Sequence, residues 1–267
     1  MLDIKNTKFL TTQEIKDKAA SIYTMTSASH LSANYTHIPT SQVIEDMEKL
    51  GWGVTDAKQV RSKKGDGYQK HLVVFRNDDV VINGEDGDVV FPQILLTNSH
   101  DGKSAFIFQA GLFRMICENG LVVSTQDFEN VRIRHMGYTF EELQEQIRGM
   151  VERLPLTVES LNKMKGTILD KDKITDFATK ALESRFTAEQ VKELKVNIEK
   201  LTEPTRPEDR GNDLWSVFNV IQEKIVSGDF EYMIGVKIRK ARKIKNFKMD
   251  LDVNKKLFEI AHEFIAA

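Results

Sequence analysis

The chain has one cysteine, Cys117, in 267 residues. No internal disulfide can form, a cysteine-rich zinc site is excluded, and such sparing use of cysteine fits a reducing cytoplasm. Proline is scarce at five residues, and the one linker-like segment, "TEPTRPEDRGND", holds two of them. No stretch approaches the roughly 20 apolar residues that a membrane helix needs. The opening "MLDIKNTKFLTTQEIKDKAA" scatters charges where a signal peptide would carry an apolar core. The expectation is a soluble cytoplasmic protein without a membrane partner. Excess charge is also lacking, since the formal net charge is -2. A globally basic nucleic-acid binder is therefore excluded, and any such role rests on how charge is distributed. No glycine-rich phosphate loop is present, because "GWGVTD" fits neither phosphate-binding pattern. No repeat and no low-complexity tract stands out.

What is present begins with helical periodicity. Ile15, Ala19, Ile22 and Met25 predict an amphipathic helix over 12 to 27, opened by Thr11 or Thr12. Thr40 or Ser41 is placed to cap a second helix with Val43, Ile44, Met47 and Leu50 on one face and Gly51 as its stop. From Trp52 the period changes to short β-branched and aromatic segments, "WGVTDAKQVRS", "YQKHLVVFRN", "DVVFPQILLTN" and "SAFIFQA". Turn-rich "KKGDG", "NGEDG" and "SHDGK" separate them, which reads as an antiparallel meander. Pro92 argues that the third segment is an edge strand or starts later. Asn119-Gly120, between two apolar runs, reads as a tight turn, and "ENVRIRH" as one more strand with Arg132 and Arg134 on a basic face. After Gly137 a helical period governs, with helices expected over 157 to 166, 171 to 183, 187 to 201, 212 to 227 and 253 to 265. The fold class is α+β, an antiparallel β-meander sheet with flanking helices followed by a helical C-terminal half. The division expected is 1–137 for the sheet-bearing part and 138–267 for the helical part, either as two domains or with the second packed on the first as one.

Catalytic and metal signatures are thin. Cys117 has no local nucleophile motif around it and reads as a small buried hydrophobe. His30, His37, His71, His100, His135 and His262 never fall at ligand spacing and read as structural. Asp78, Asp79, Glu85, Asp86 and Asp88 lack calcium-loop spacing and read as turn residues. No metal and no cofactor is expected.

The strongest charge feature is "GVKIRKARKIKNFKM". Lys237, Arg239, Lys240, Arg242, Lys243, Lys245 and Lys248 form seven cations with no acid among them. Such a run can contact phosphates, and Phe247 could add base stacking. Its bland counterpart is a solvated face balanced by acids elsewhere. Arg61, Lys63, Lys64, Arg132 and Arg134 would extend it into a groove if the fold aligned them.

"LTNSHDGKSA", "GLFRMICENGL" and "NDLWSVFNVIQEKI" resemble blocks of a phage- and plasmid-encoded family catalogued as a domain of unknown function. The R-x-x-C-x-N-G-L block is carried here by Arg114, Cys117, Asn119, Gly120 and Leu121, and the helical block by Trp215, Asn219 and Glu223. That resemblance implies a mobile-element origin and a host-cytoplasm setting. In element order the chain is also similar to Rad52-like single-strand annealing proteins, which implies a homo-oligomer, although a short "GLFRMICENGL" stands where they have a long basic helix. The expected function is a non-enzymatic phage- or plasmid-type protein that binds or anneals single-stranded nucleic acid in recombination or replication. Two rivals are a protein-interaction module that inhibits a host defence or replication factor, and an enzyme built around Arg114, Cys117 and Asn119.

Overall fold

The computed structural model describes residues 8–31, 37–60, 67–83, 89–102, 106–114, 119–122, 131–133 and 139–265. The chain forms two compact units, one of Met1–Gly120 with Gln126–Leu154 and one of Leu121–Thr125 with Pro155–Ala267.

In the first unit, α1 (Thr12–Lys18) opens with a capping box between Thr11 and Glu14. It is shorter than its periodicity predicts. Ala19 leaves helical geometry and a 3-10 turn over Ala20–Tyr23 continues the apolar face, burying Ile22. α2 (Thr40–Lys49) buries Val43, Ile44 and Met47, and Gly51 supplies the left-handed stop at φ 83°. Neither expected cap serves α2. Its N-cap is Pro39, without a side-chain bond, and the Thr40 hydroxyl turns inward to His71 instead.

The strands are β1 (Gly53–Gln59), β2 (His71–Arg76), β3 (Ile82–Asn83), β4 (Val89–Asn98), β5 (Phe106–Arg114), β6 (Asn119–Val122) and β7 (Val131–Ile133). The sheet runs β1-β2-β4-β5-β6, with β3 beside β4 and β7 beside β5. All six β2 residues are buried, which explains why its sequence is continuously apolar from Leu72 to Phe75. Pro92 corrects an expectation, because β4 is an interior strand. It pairs with β2 through Gln93–Asn98 on one flank, and with β5 on the other. On the β2 flank β3 reaches only Val89 and Val90, so Phe91 and Pro92 fall between two partners, where a missing N–H can face the gap. Asn119 and Gly120 also depart from the turn reading, since both belong to β6. α3 (Phe140–Glu152), capped by Thr139, buries Leu143, Ile147 and Met150 and belongs to the sheet-bearing unit.

The second unit holds α4 (Leu154–Gly166), α5 (Lys171–Ala181), α6 (Ala188–Glu193), β8 (Lys195–Val196), α7 (Ile198–Thr202), α8 (Leu214–Ser227), β9 (Glu231–Ile234), β10 (Lys237–Lys240) and α9 (Phe247–Ile265). α8 is its centre, with 11 of 14 residues buried. Asp213 caps its start through Ser216. Around it Phe218 stacks on Trp215 and meets Phe258 edge-on, while Phe177 packs against Phe264. Aromatic pairs of this kind add about 0.5–1.5 kcal/mol beyond their buried area. The helix expected over 187 to 201 is broken. Leu194 turns extended, β8 pairs with β9, and Asn197 caps α7 by accepting from Lys200 N. The result is a small antiparallel sheet in the order β10-β9-β8 within the helical half.

Candidate functional site

The basic run folds as β10, a connecting segment and the start of α9, and its own apolar residues decide which way the cations face. Ala241, Ile244 and Phe247 are buried at intervals of three, and the cations between and before them are exposed. The backbone is pinned where it passes α8. Ala241 N donates to Phe230 O and Ile244 N to Val226 O, both at 2.9 Å. Arg185 donates to Ile225 O at 2.5 Å and also to Arg242 O. Gly228 makes this approach possible, being left-handed at φ 76° and lying so close to Arg242 that a Cβ would fall 2.4 Å from its carbonyl carbon.

Of the seven cations, Lys240 alone has a carboxylate within ion-pair reach among the described residues, Asp229 at 3.8 Å. That pair is exposed and contributes little. The hairpin that carries Lys237, Arg239 and Lys240 also presents Ile234, Val236 and Ile238 to solvent, with Val236 92% exposed at the tip.

Beside this hairpin lies a pocket of about 710 Å³, to which β10 contributes Ile238 and Lys240. Phe230, Tyr232 and Met233 form apolar wall, and Lys195, Lys200, Glu203 and Glu231 stand among its polar residues. Lys224 also lines it, but its ammonium is committed to Lys200 O and to Glu203 O at 2.6 Å, the carbonyls at the end of α7. Burial lowers Lys224 from its ordinary pKa, opposed by Glu203, Asp229 and Glu223.

A second polar cluster lies inside the first unit. His71 is fully buried. Its Nε2 lies 2.8 Å from Thr40 Oγ1, and its Nδ1 lies 3.0 Å from Gln69 O and 3.1 Å from Ser21 Oγ. With Nδ1–H donating to Gln69, Nε2 accepts from Thr40, which in turn accepts from Asn98 Nδ2 at 3.0 Å. His100 sits 5.1 Å from the His71 ring and 4.6 Å from His37. Three of the six histidines therefore meet, which their sequence spacing did not reveal. Among the described residues no group of His, Cys, Asp and Glu is arranged to hold a metal ion. Burial pushes the His71 imidazole down to about 4, so it is a neutral hydrogen-bonding element and not a cation near pH 7.

The other sequence candidates are dispersed. Phe247 is 4% exposed; it anchors α9 to the core and is not available for stacking, which corrects that expectation. Arg132 lies on β7 opposite Ile107, in the first unit. Arg61, Lys63, Lys64, Arg134 and Cys117 lie outside the described residues. Arg114 ends β5 while Asn119 and Gly120 open β6. Asp78 of the acidic stretch pairs with Arg76 Nε at 2.6 Å. In the helical block, Asn219 bonds Trp215 O at 2.7 Å and Glu223 holds Arg206 through both carboxylate oxygens. Those roles are structural. Sequence reasoning missed Tyr232, Met233 and the lysines of β8 and α7, because only the unrecognised three-stranded sheet brings them to the basic run.

These features define an α+β protein with a buried polar network in its sheet-bearing unit and a cation-bearing hairpin beside a pocket in its helical unit. The chain belongs to the family described as Domain of unknown function (DUF932), which matches residues 28–258. It is similar to the UPF0380 protein YfjQ and the UPF0380 protein YafZ of Escherichia coli strain K12, each 28% identical over 230 residues that cover 84% of this chain and 80% of the relative. No solved structure matches. Among the described residues no helix is long and apolar enough to cross a membrane.

Proposed function

We propose that the chain is a phage- or plasmid-type nucleic-acid-binding protein whose basic segment, Lys237 to Lys248, holds the phosphates of a single strand. The observation that carries this reading is a row of cations that is exposed, held on a pinned backbone and, apart from Lys240, without a carboxylate partner among the described residues. Cations without internal partners gain most from an external anion. Pinning lowers the ordering cost of binding, and release of condensed counterions supplies the driving force. Annealing in recombination or replication, a cytoplasmic setting and a homo-oligomer are the corresponding biological proposals.

The test is fluorescence anisotropy with a labelled single-stranded DNA oligonucleotide over a series of salt concentrations. Binding should weaken log-linearly with salt. Replacing Arg239, Lys240, Arg242 and Lys243 by alanine should weaken it on every sequence and reduce the slope by about 3, at roughly 0.7 for each phosphate no longer neutralised. Absence of binding at low salt, or an unchanged slope in the variant, overturns the reading. A protein-docking role is favoured by one specific observation, the exposure of Ile234, Val236 and Ile238 on the same hairpin. Capture of a host factor that survives nuclease treatment and is lost in Val236→Asp would support it.

A further inference from the structure

We infer that the pocket beside the hairpin is a nucleobase site, receiving one unstacked base of the strand held by the basic segment; this rests on the phosphate-binding reading above. Three observations converge on it.

The first is continuity. Side chains alternate along β10, so Ile238 and Lys240 share one face and Lys237 and Arg239 the other. It is the Ile238–Lys240 face that lines the pocket. A phosphate that displaces the exposed 3.8 Å pair of Lys240 with Asp229, also a lining residue, therefore sits at the pocket's rim, and the attached nucleotide has the pocket as its neighbour.

The second is the chemistry of the lining, which matches the parts of a nucleotide. Tyr232 and Met233 are half-buried and Ile238 is 67% exposed, so they offer apolar surface on which a ring can stack. Glu203 and Glu231 are exposed in the same lining, and carboxylates accept from exocyclic amino groups. Lys195 and Lys200 supply donors for flanking phosphates. A lining of both signs around an apolar wall disfavours a bare polyanion, for which lysines alone would suffice.

The third is size and stability of shape. A volume of about 710 Å³ lies within the roughly 300–1,000 Å³ of small-molecule sites. It suits a single nucleotide. The wall is held by protein contacts that do not need the ligand: Lys224 ties down the end of α7, and the Tyr232 ring packs 5.3 Å from Phe186.

The experiment compares a deoxycytidine oligonucleotide, whose bases carry an exocyclic amino group, with an abasic strand of equal length and charge, at one salt concentration, using the full chain. Stacking on an aromatic platform predicts that the base-bearing strand binds about tenfold more tightly. Ile238→Ser, at an exposed position that leaves the core intact, should remove most of that advantage while leaving abasic affinity unchanged. As a second readout, an oligonucleotide carrying 5-iodocytosine should photocrosslink to Tyr232 or Met233. Equal affinity for the two strands, or crosslinks confined to residues outside the pocket, overturns the base site and leaves the phosphate reading standing. Failure of both strands to bind overturns the phosphate reading itself.

Discussion

The His71 network of the sheet-bearing unit and the basic segment of the helical unit use polar side chains in opposite ways. Around His71, each hydrogen bond stands in for lost water: both imidazole nitrogens, the Thr40 hydroxyl and the Asn98 amide nitrogen are partnered from within, while Asn98 Oδ1 is buried without a hydrogen-bond partner. Along residues 237–248 Ala241, Ile244 and Phe247 go inward and the cations remain in solvent, Lys240 alone having a carboxylate partner among the described residues. A buried polar group is spent on folding, whereas an exposed unpaired one is free to bind. Titratable residues in a sequence therefore say little about function until their partners are known.

The sharpest way to break this contrast is to remove one member of the buried network. Thr40→Val should cost about 4 kcal/mol, because it leaves both His71 Nε2 and Asn98 Nδ2 buried without partners at roughly 1–3 kcal/mol each. Urea unfolding would measure it; a loss below about 1 kcal/mol would mean that water already serves these groups.

Acid should expose the same network by another route. The unfolded His71 takes up a proton near its ordinary value of 6.5, and the folded form resists it down to about 4. Its contribution is complete above the upper value and is lost as pH falls through that window, a change on the order of 3 kcal/mol. His71→Gln should flatten the pH dependence of unfolding between those limits.

Gly228→Ala is smaller in its expected effect, about 2 kcal/mol from the left-handed backbone, with Arg242 and Lys243 displaced by the added Cβ. It should also weaken single-strand binding without removing any charge. Smallest of all is the stability change in the fourfold alanine variant at 239, 240, 242 and 243. Its unfolding free energy should stay within about 1 kcal/mol of the parent in total, since each exposed site contributes under about 0.5 kcal/mol of either sign, while its nucleic-acid affinity falls. A large loss of stability there would make the basic segment part of the fold's support rather than its free surface.

Much of the architecture was legible along the chain. The change from helical period to alternation at Trp52 and back after Gly137, the Gly51 stop and the α+β class all follow from local pattern. The burial of Phe247 was also readable, since Ala241, Ile244 and Phe247 recur every three residues inside the basic run. Other features were not. β8 and β10 are two and four residues long, too short for a period to register. Thr40 has the residue type of a helix cap, and only the arrival of His71 from β2 gives its hydroxyl a better partner. Pro92 looks like an edge residue until the gap between β3 and β2 is seen.

By itself the sequence determined what is local: the positions of apolar stripes, the stops and caps, and a patch of seven cations undiluted by acid. Tertiary structure decided which polar groups are consumed and which are left over. It gathered His37, His71 and His100 into one cluster, and it set the basic run beside a pocket built from β8, α7 and β9. The physical reason is that burial and hydrogen-bond satisfaction depend on residues far apart in the chain, and periodicity carries no information about which distant partner will arrive.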